Sequence, residues 1–130
     1  MTKNIHNKWN LISEDLERLI FWELHDLKGS LIILLKNLKI PNKFLKIKFD
    51  GVISYRVTVE AGKLGTIHAN QYLGPFYIVD NSTYLMDVLD ESGGIFDDSK
   101  LIHYSIWNSD NIIDVISGPP VETDWIASTS

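Results

Sequence analysis

Cysteine is absent from this 130-residue chain. Its absence excludes disulfide bonds, thiolate metal sites and a cysteine nucleophile, and it is typical of proteins in a reducing compartment. The N-terminal residues lack the apolar core of a signal peptide, and no stretch approaches the ~18 consecutive apolar residues of a membrane span. These absences and the chain length predict a single cytoplasmic domain over residues 1–130 with no membrane partner. We expect residues 1–10 and 126–130 to be flexible.

Positive charge is scarce in the second half of the chain. Residues 61–130 contain two basic residues, Lys63 and Lys100, against ten acidic ones, whereas residues 1–60 contain ten basic and seven acidic residues. Phosphate recognition requires a basic surface, so this composition disfavours a nucleic-acid partner. The main basic cluster consists of Lys36, Lys39, Lys43, Lys46 and Lys48. A solvated strand face accounts for that cluster.

Alternation of apolar and polar residues predicts a hairpin around Asp50 and Gly51. Residues 44–49 and 52–60 each alternate with period two, which is typical of half-buried strands. An Asp-Gly pair favours a tight turn because glycine adopts positive φ without a Cβ clash. We expect a bulged three-residue turn, since that register leaves one face of the hairpin apolar.

A second hairpin is predicted for residues 101–117, around a loop at 108–111. A four-residue loop places Ile106 opposite Ile113 and again leaves one face apolar. Pro119-Pro120 is predicted to end the second strand, because proline cannot donate a hydrogen bond to a neighbouring strand.

Two helices are predicted, at residues 14–25 and 83–91. In the first, apolar residues recur at helical spacing up to Leu24. In the second, Ser82 (or Asn81) is a suitable N-cap, and Gly93-Gly94 is a typical helix end. Further strands are predicted at 31–38 and 75–79. The expected fold is therefore α+β: an antiparallel sheet of five or six strands with two helices packed on one face.

The polar face of the second hairpin carries the candidates for catalysis. Its register places Ser105 opposite Asp114, and His103 lies on the same face. A nucleophile, a base and an orienting carboxylate could be built from these residues, which would suit a small hydrolase or a ligand-binding domain. However, a flat sheet face is not a pocket, and Ser105 lacks a nucleophile-elbow signature. We therefore expect no catalytic residue, no metal and no cofactor.

A run of carboxylates is the main candidate for a binding surface. It comprises Asp87, Asp90, Glu91, Asp97 and Asp98. A solvated helix face is the simplest interpretation, and the spacing is not that of an EF-hand calcium loop. Alternatively, clustered carboxylates imitate phosphates and attract a basic protein, such as a nuclease. Trp107 and Asp114 are predicted to join this surface, Trp107 as an aromatic anchor unless a helix buries it. An exposed apolar patch would instead favour a dimerisation module.

Three segments resemble small bacterial immunity proteins of contact-dependent and polymorphic toxin systems. They are SYRVTVEAG (54–62), PFYIVDNSTYLMDVLDESGGI (75–95) and HYSIWNSDNIIDVIS (103–117), about half of the chain. The resemblance implies a cytoplasmic, non-catalytic protein whose partner is one cognate protein toxin. It assigns no functional residue.

Overall fold

The computed structural model describes residues 4–12, 19–37, 39–96 and 100–127. Within these ranges seven strands form one antiparallel sheet in the order β1-β5-β6-β7-β4-β3-β2. The strands are β1 (Ile5–Lys8), β2 (Ile20–Leu27), β3 (Ser30–Lys36), β4 (Phe44–Val59), β5 (Phe76–Asp80), β6 (Ile102–Trp107) and β7 (Asn111–Ile126). A 3-10 turn (Glu60–Lys63) leads into the short helix α1 (Leu64–Ala69), and α2 spans Thr83–Glu91. The predicted α+β class is confirmed, but the strand count and the helix packing differ from the prediction: the described ranges contain seven strands in place of five or six, and their two helices are short.

Two long strands, β4 and β7, form the centre of the sheet. Each has 16 residues, and they pair from Phe44 opposite Ile126 to Val59 opposite Asn111. The predicted hairpin around Asp50-Gly51 is therefore wrong, because β4 continues through this pair. The apolar alternation on either side of Gly51 belongs to one strand that pairs with a distant segment of the chain.

Irregular pairing in the middle of these strands explains why Pro119 and Pro120 do not end β7. Pairing shifts between Phe49 and Gly51, and the two prolines lie on β7 opposite that shift. A bulge leaves backbone groups without ladder partners, so a residue that lacks an N–H is tolerated there. The prediction that the strand ends at the prolines is thus wrong.

The predicted N-terminal helix also differs from the structure. Its residues 13–18 lie outside the described residues, and Ile20–Leu27 form strand β2. A two-residue turn, Lys28 (φ 52°) and Gly29 (φ 97°), folds β2 back on β3. Positive φ at both turn residues matches the twist of a hairpin. Although the apolar residues of this segment recur at helical spacing, pairing with the apolar strand β3 makes it a strand.

Other predictions are confirmed. The hairpin of β6 and β7 has the predicted register, with Ile106 opposite Ile113 and Ser105 opposite Asp114. Helix α2 occupies the predicted range, and both Gly93 and Gly94 after it have positive φ. At an edge of the sheet, Ile5–Lys8 form strand β1 and pair with β5.

The two faces of the sheet have different environments. One face carries the main core, whose buried residues are Leu19, Leu31, Ile33, Leu35, Leu45, Ile47, Phe49, Phe76, Tyr104, Ile106, Ile113 and Val115. Trp9 covers part of it, with its ring centroid 4.7 Å from that of Tyr104. On the other face a smaller apolar cluster packs Ile67 of α1 against Tyr77, Trp107 and Ile112. The same face holds a buried polar network beneath α2.

In the described ranges, no helix is long and apolar enough to cross a membrane.

Candidate functional site

The buried polar network is centred on Asp114 of β7. Asp114 is 2% exposed, and its neighbour His103 on β6 is 3% exposed. Asp114 Oδ1 accepts a hydrogen bond from His103 Nε2 at 2.7 Å. Asp114 Oδ2 accepts from Arg56 Nε at 3.1 Å and lies 3.5 Å from Lys63 Nζ. Two cations and an imidazole therefore surround one buried carboxylate.

The charge of Asp114 is stabilised by these neighbours. Burial alone would raise the pKa of this carboxyl, because a low-dielectric interior disfavours the ionised form. The hydrogen bond from His103 and the electrostatic interactions with His103, Lys63 and Arg56 outweigh burial and hold the pKa of Asp114 well below its usual range. Asp114 is thus an anion throughout the physiological pH range.

The network connects the sheet to helix α2 through Ser82. The Ser82 hydroxyl lies 2.6 Å from His103 Nδ1 and accepts a hydrogen bond from the backbone N–H of Leu85 at 2.9 Å. Since Nε2–H donates to Asp114, Nδ1 accepts from Ser82 in the neutral ring and donates to it in the imidazolium form. Ser82 is therefore both the N-cap of α2 and a hydrogen-bond partner of the buried His103.

Tyr84 provides a second connection between α2 and the sheet. Its ring packs edge-on against His103, with centroids 5.5 Å apart, and the Arg56 guanidinium lies 4.1 Å from its centroid. Its hydroxyl shares a hydrogen bond with the hydroxyl of Ser54. Burial raises the pKa of Tyr84, so this hydroxyl is neutral at physiological pH.

Ser82, His103 and Asp114 have the connectivity of a Ser-His-Asp relay, but their environment is that of a structural link. All three are buried, and the hydroxyl of Ser82 already caps a helix. Ser105, the nucleophile suggested by the sequence, is bonded elsewhere: its Oγ accepts from the indole N–H of Trp107 at 3.0 Å. The structure thus brings His103 and Asp114 together but does not join Ser105 to them.

His6 borders the same network from strand β1. Its ring lies edge-on to Tyr77 and Trp107, with centroids 5.9 and 5.8 Å away. Its Nδ1 is buried and has no hydrogen-bond partner within the described ranges. Burial, and then the electrostatic interactions with His103 and Lys63, lower the pKa of His6, while Asp114 opposes the shift. Protonation of His6 is therefore disfavoured in the folded chain.

The predicted acidic residues lie on and after helix α2. Asp87, Asp90 and Glu91 are exposed on its outer side, and Asp97 and Asp98 lie outside the described residues. Among the described residues, none of the three helical carboxylates forms an ion pair or a side-chain hydrogen bond. Three large apolar residues of the same segment, on and after α2, are also exposed: Met86 (52%), Ile95 (81%) and Phe96 (37%). We call these six described residues the acidic helix surface.

Two other residues expected on the partner surface are buried instead. Asp114 holds the polar network, so it has no exposed carboxylate to offer a partner. Trp107 is 7% exposed and forms one wall of a cavity of about 340 Å³. Ile67 of α1 packs against Trp107, and His103, Arg56 and Lys63 surround Asp114.

The cations of the network were not identified from the sequence. Arg56 lies opposite Asp114 because β4 pairs with β7, a contact between residues far apart in the chain. Lys63 is placed by the 3-10 turn that follows β4. The signal that could have found Ser82 was present, since it was recognised as an N-cap, but its second bond to His103 depends on the tertiary structure.

In the described part of the chain, no group of three or more histidine and carboxylate side chains is arranged to hold a metal ion. Comparisons with family models, with curated proteins and with solved structures yielded no match to this chain.

Proposed function

We propose that this protein is an immunity protein, a non-catalytic cytoplasmic inhibitor that binds and neutralises a cognate bacterial toxin domain. The acidic helix surface is the contact face. The observation that carries the proposal is the combination on this surface of unpaired carboxylates with exposed apolar side chains. Apolar anchors surrounded by polar residues are the usual anatomy of a protein–protein interface.

The two components of this surface have separate roles. Asp87, Asp90 and Glu91 attract a basic toxin and speed its association, as expected for charges at an interface rim. Met86, Ile95 and Phe96 lose exposed apolar area on binding and slow dissociation. A basic nuclease is the kind of toxin that fits, because its active site is built to receive phosphates.

Rigid presentation of α2 supports the same proposal. The helix is capped by Ser82, which is held by His103, and its first turn is fixed by Tyr84 against Arg56. An interface residue on a fixed helix loses little conformational entropy on binding. The buried network therefore positions the binding helix rather than carrying out chemistry.

A hydrolase that uses His103, Ser105 and Asp114 is not proposed. The Ser105 hydroxyl bonds Trp107, and none of the three side chains is accessible to a substrate in the described part of the chain.

The test is a rescue experiment with the product of the neighbouring upstream gene. Its C-terminal region is expressed in a sensitive cell with and without this protein, and the two chains are then co-purified. We expect relief of toxicity together with a stable complex. Toxicity that persists in the presence of this protein, or the absence of a complex, would reject the proposal.

The contact face is tested with two matched double variants. Asp87→Asn/Asp90→Asn removes two carboxylates from the acidic helix surface, and Glu122→Gln/Asp124→Asn removes two exposed carboxylates from β7. We expect the first to slow association roughly tenfold at low ionic strength and the second to have little effect. Equal effects of the two variants would indicate that only net charge matters and would remove α2 as the contact face.

A further inference from the structure

A cavity of about 340 Å³ lies beside the tip of the β6–β7 hairpin. Trp107 and Ile112 line its inner side, Ile67 of α1 and Tyr72 line another, and Glu60 lies at its rim. Its volume is at the lower end of the range of about 300–1,000 Å³ for small-molecule sites. Most of the lining surface is apolar, which is usual for such a site, and the polar side chains in the lining are those of Glu60, Asn108, Ser109 and Asn111.

The inner wall is fixed before any ligand arrives. Trp107 donates its indole N–H to Ser105 Oγ and packs against Tyr77, with ring centroids 4.6 Å apart. The hairpin loop beside it is held by Asn108, whose Oδ1 accepts the backbone N–H groups of Asp110 and Asn111. A preorganised wall favours binding because little order is lost when a ligand stacks on it.

The charges and aromatic rings that line the cavity favour a positively charged ligand. Glu60 is exposed, and its side chain forms no ion pair or hydrogen bond with any residue that the structure describes. Lys63, three residues later, is directed to Asp114 and so does not neutralise Glu60. Among the lining residues in the described ranges, none is lysine or arginine. Tyr72 and Trp107, whose centroids are 6.5 Å apart, add two aromatic faces of negative potential.

We infer that this cavity is a binding site for a small organic cation that carries an ammonium, amidinium or guanidinium group on a flat apolar body. The apolar body stacks against Trp107 and Ile112, and the charge lies between the Tyr72 ring and the Glu60 carboxylate. This site is independent of the proposed toxin-binding face. Helix α2 packs over His103, which is four residues and roughly 13 Å along β6 from Trp107.

The test is a titration of the full chain followed by two-dimensional ¹H–¹⁵N NMR. The probes are benzylamine, benzamidine and phenyltrimethylammonium, with benzyl alcohol as the neutral analogue of benzylamine. We expect saturable shifts of the backbone amides of Ile67, Asn108 and Asn111 and of the Trp107 indole N–H. Benzyl alcohol should bind roughly tenfold more weakly than benzylamine, because it lacks the charge that Glu60 and the rings attract.

Two single variants assign the charge selection. Glu60→Gln removes the rim carboxylate and should reduce the affinity for benzylamine about five- to tenfold, with little effect on benzyl alcohol. Glu122→Gln removes an exposed carboxylate on β7, away from the cavity, and should leave both affinities unchanged. The spectra themselves report whether each variant is folded.

Three outcomes would overturn the inference. One is the absence of saturable shifts with all three cations. Another is equal affinity for benzylamine and benzyl alcohol, which would make the cavity an unselective apolar surface. The third is an equal loss of benzylamine affinity in Glu60→Gln and Glu122→Gln, which would assign the preference to net charge rather than to this site.

Discussion

His103 and Asp114 face each other diagonally across β6 and β7, and their side chains are joined by a 2.7 Å hydrogen bond in the interior. The carboxylate must be compensated there, because an unpaired buried charge is strongly unfavourable. Arg56 and Lys63 reach it from β4 and from the turn that follows β4. Asp114 therefore connects three separate segments of the chain to its own strand, and removal of its charge should affect all of them.

Asp114→Asn tests this role. The amide keeps the shape of the side chain but leaves Lys63 and Arg56 without their anion, so we expect the free energy of unfolding to fall by about 3–5 kcal/mol. Urea denaturation is the measurement. Asp124→Asn, at an exposed position of the same strand, is the matched control and should change stability by less than about 0.5 kcal/mol. Similar values for the two variants would show that the buried network does not stabilise the fold.

Ser82→Ala removes two interactions at once. The backbone N–H of Leu85 loses its cap, and Nδ1 of His103 loses its partner. We expect a loss of about 2 kcal/mol in unfolding free energy, measured by thermal and urea denaturation. Ser92→Ala, at the other end of α2, is the control, because its hydroxyl donates to the carbonyl of Leu89 within the helix rather than to the sheet. A loss at Ser82 no larger than that at Ser92 would contradict the proposed connection between helix and sheet.

Parts of the fold that depend on neighbouring residues could be predicted from the sequence. Helix α2 is bounded by a capping serine and two glycines, so its range follows from local chemistry. The β6–β7 register follows from a short loop and from the alternation of apolar residues. That register also placed Ser105 opposite Asp114 correctly, which brought His103 and Asp114 onto one face.

The sequence-based predictions that were wrong concern segments whose pairing connects residues far apart in the chain. Alternation around Gly51 is equally consistent with a hairpin and with one long strand, and only the pairing of β4 with β7 distinguishes them. The same pairing brings Arg56 opposite Asp114, so an acid predicted to lie on the surface is buried with a cation. Residues 97–98 of the predicted acidic surface lie outside the described residues, and their role stays a prediction.

Gly51→Ala distinguishes a hairpin turn at residue 51 from the continuous strand β4. Gly51 has no positive φ, and a Cβ there would lie 3.7 Å from the nearest atom, the backbone nitrogen of Gly118, which is ordinary contact. We expect unfolding free energy to be unchanged or raised by up to about 1 kcal/mol, because alanine reduces the entropy of the unfolded chain. The measurement is urea denaturation of the purified variant.

Gly29→Ala is the matched comparison for a true turn. Gly29 has φ of +97° and open space around it, so only backbone strain opposes a side chain there. We expect a loss of about 1–2 kcal/mol. If Gly51→Ala were as damaging as Gly29→Ala, residue 51 would have to occupy a turn, and the continuous strand β4 would be wrong.

His6→Phe tests the pH dependence of the fold. Since burial lowers the pKa of His6 below its ordinary value of 6.5, the folded chain binds fewer protons than the unfolded chain just below that pH. The stability that depends on neutral His6 is thus present above pH about 6.5 and is lost as the pH falls through the folded-state pKa.

Phenylalanine keeps the ring contacts with Tyr77 and Trp107 and has neither a titrating group nor an unpaired buried nitrogen. Unfolding free energies measured across acidic pH should therefore fall less steeply in His6→Phe than in the natural chain. Parallel curves for His6→Phe and the natural chain would assign the acid sensitivity to other groups and leave the unpaired Nδ1 without energetic consequence.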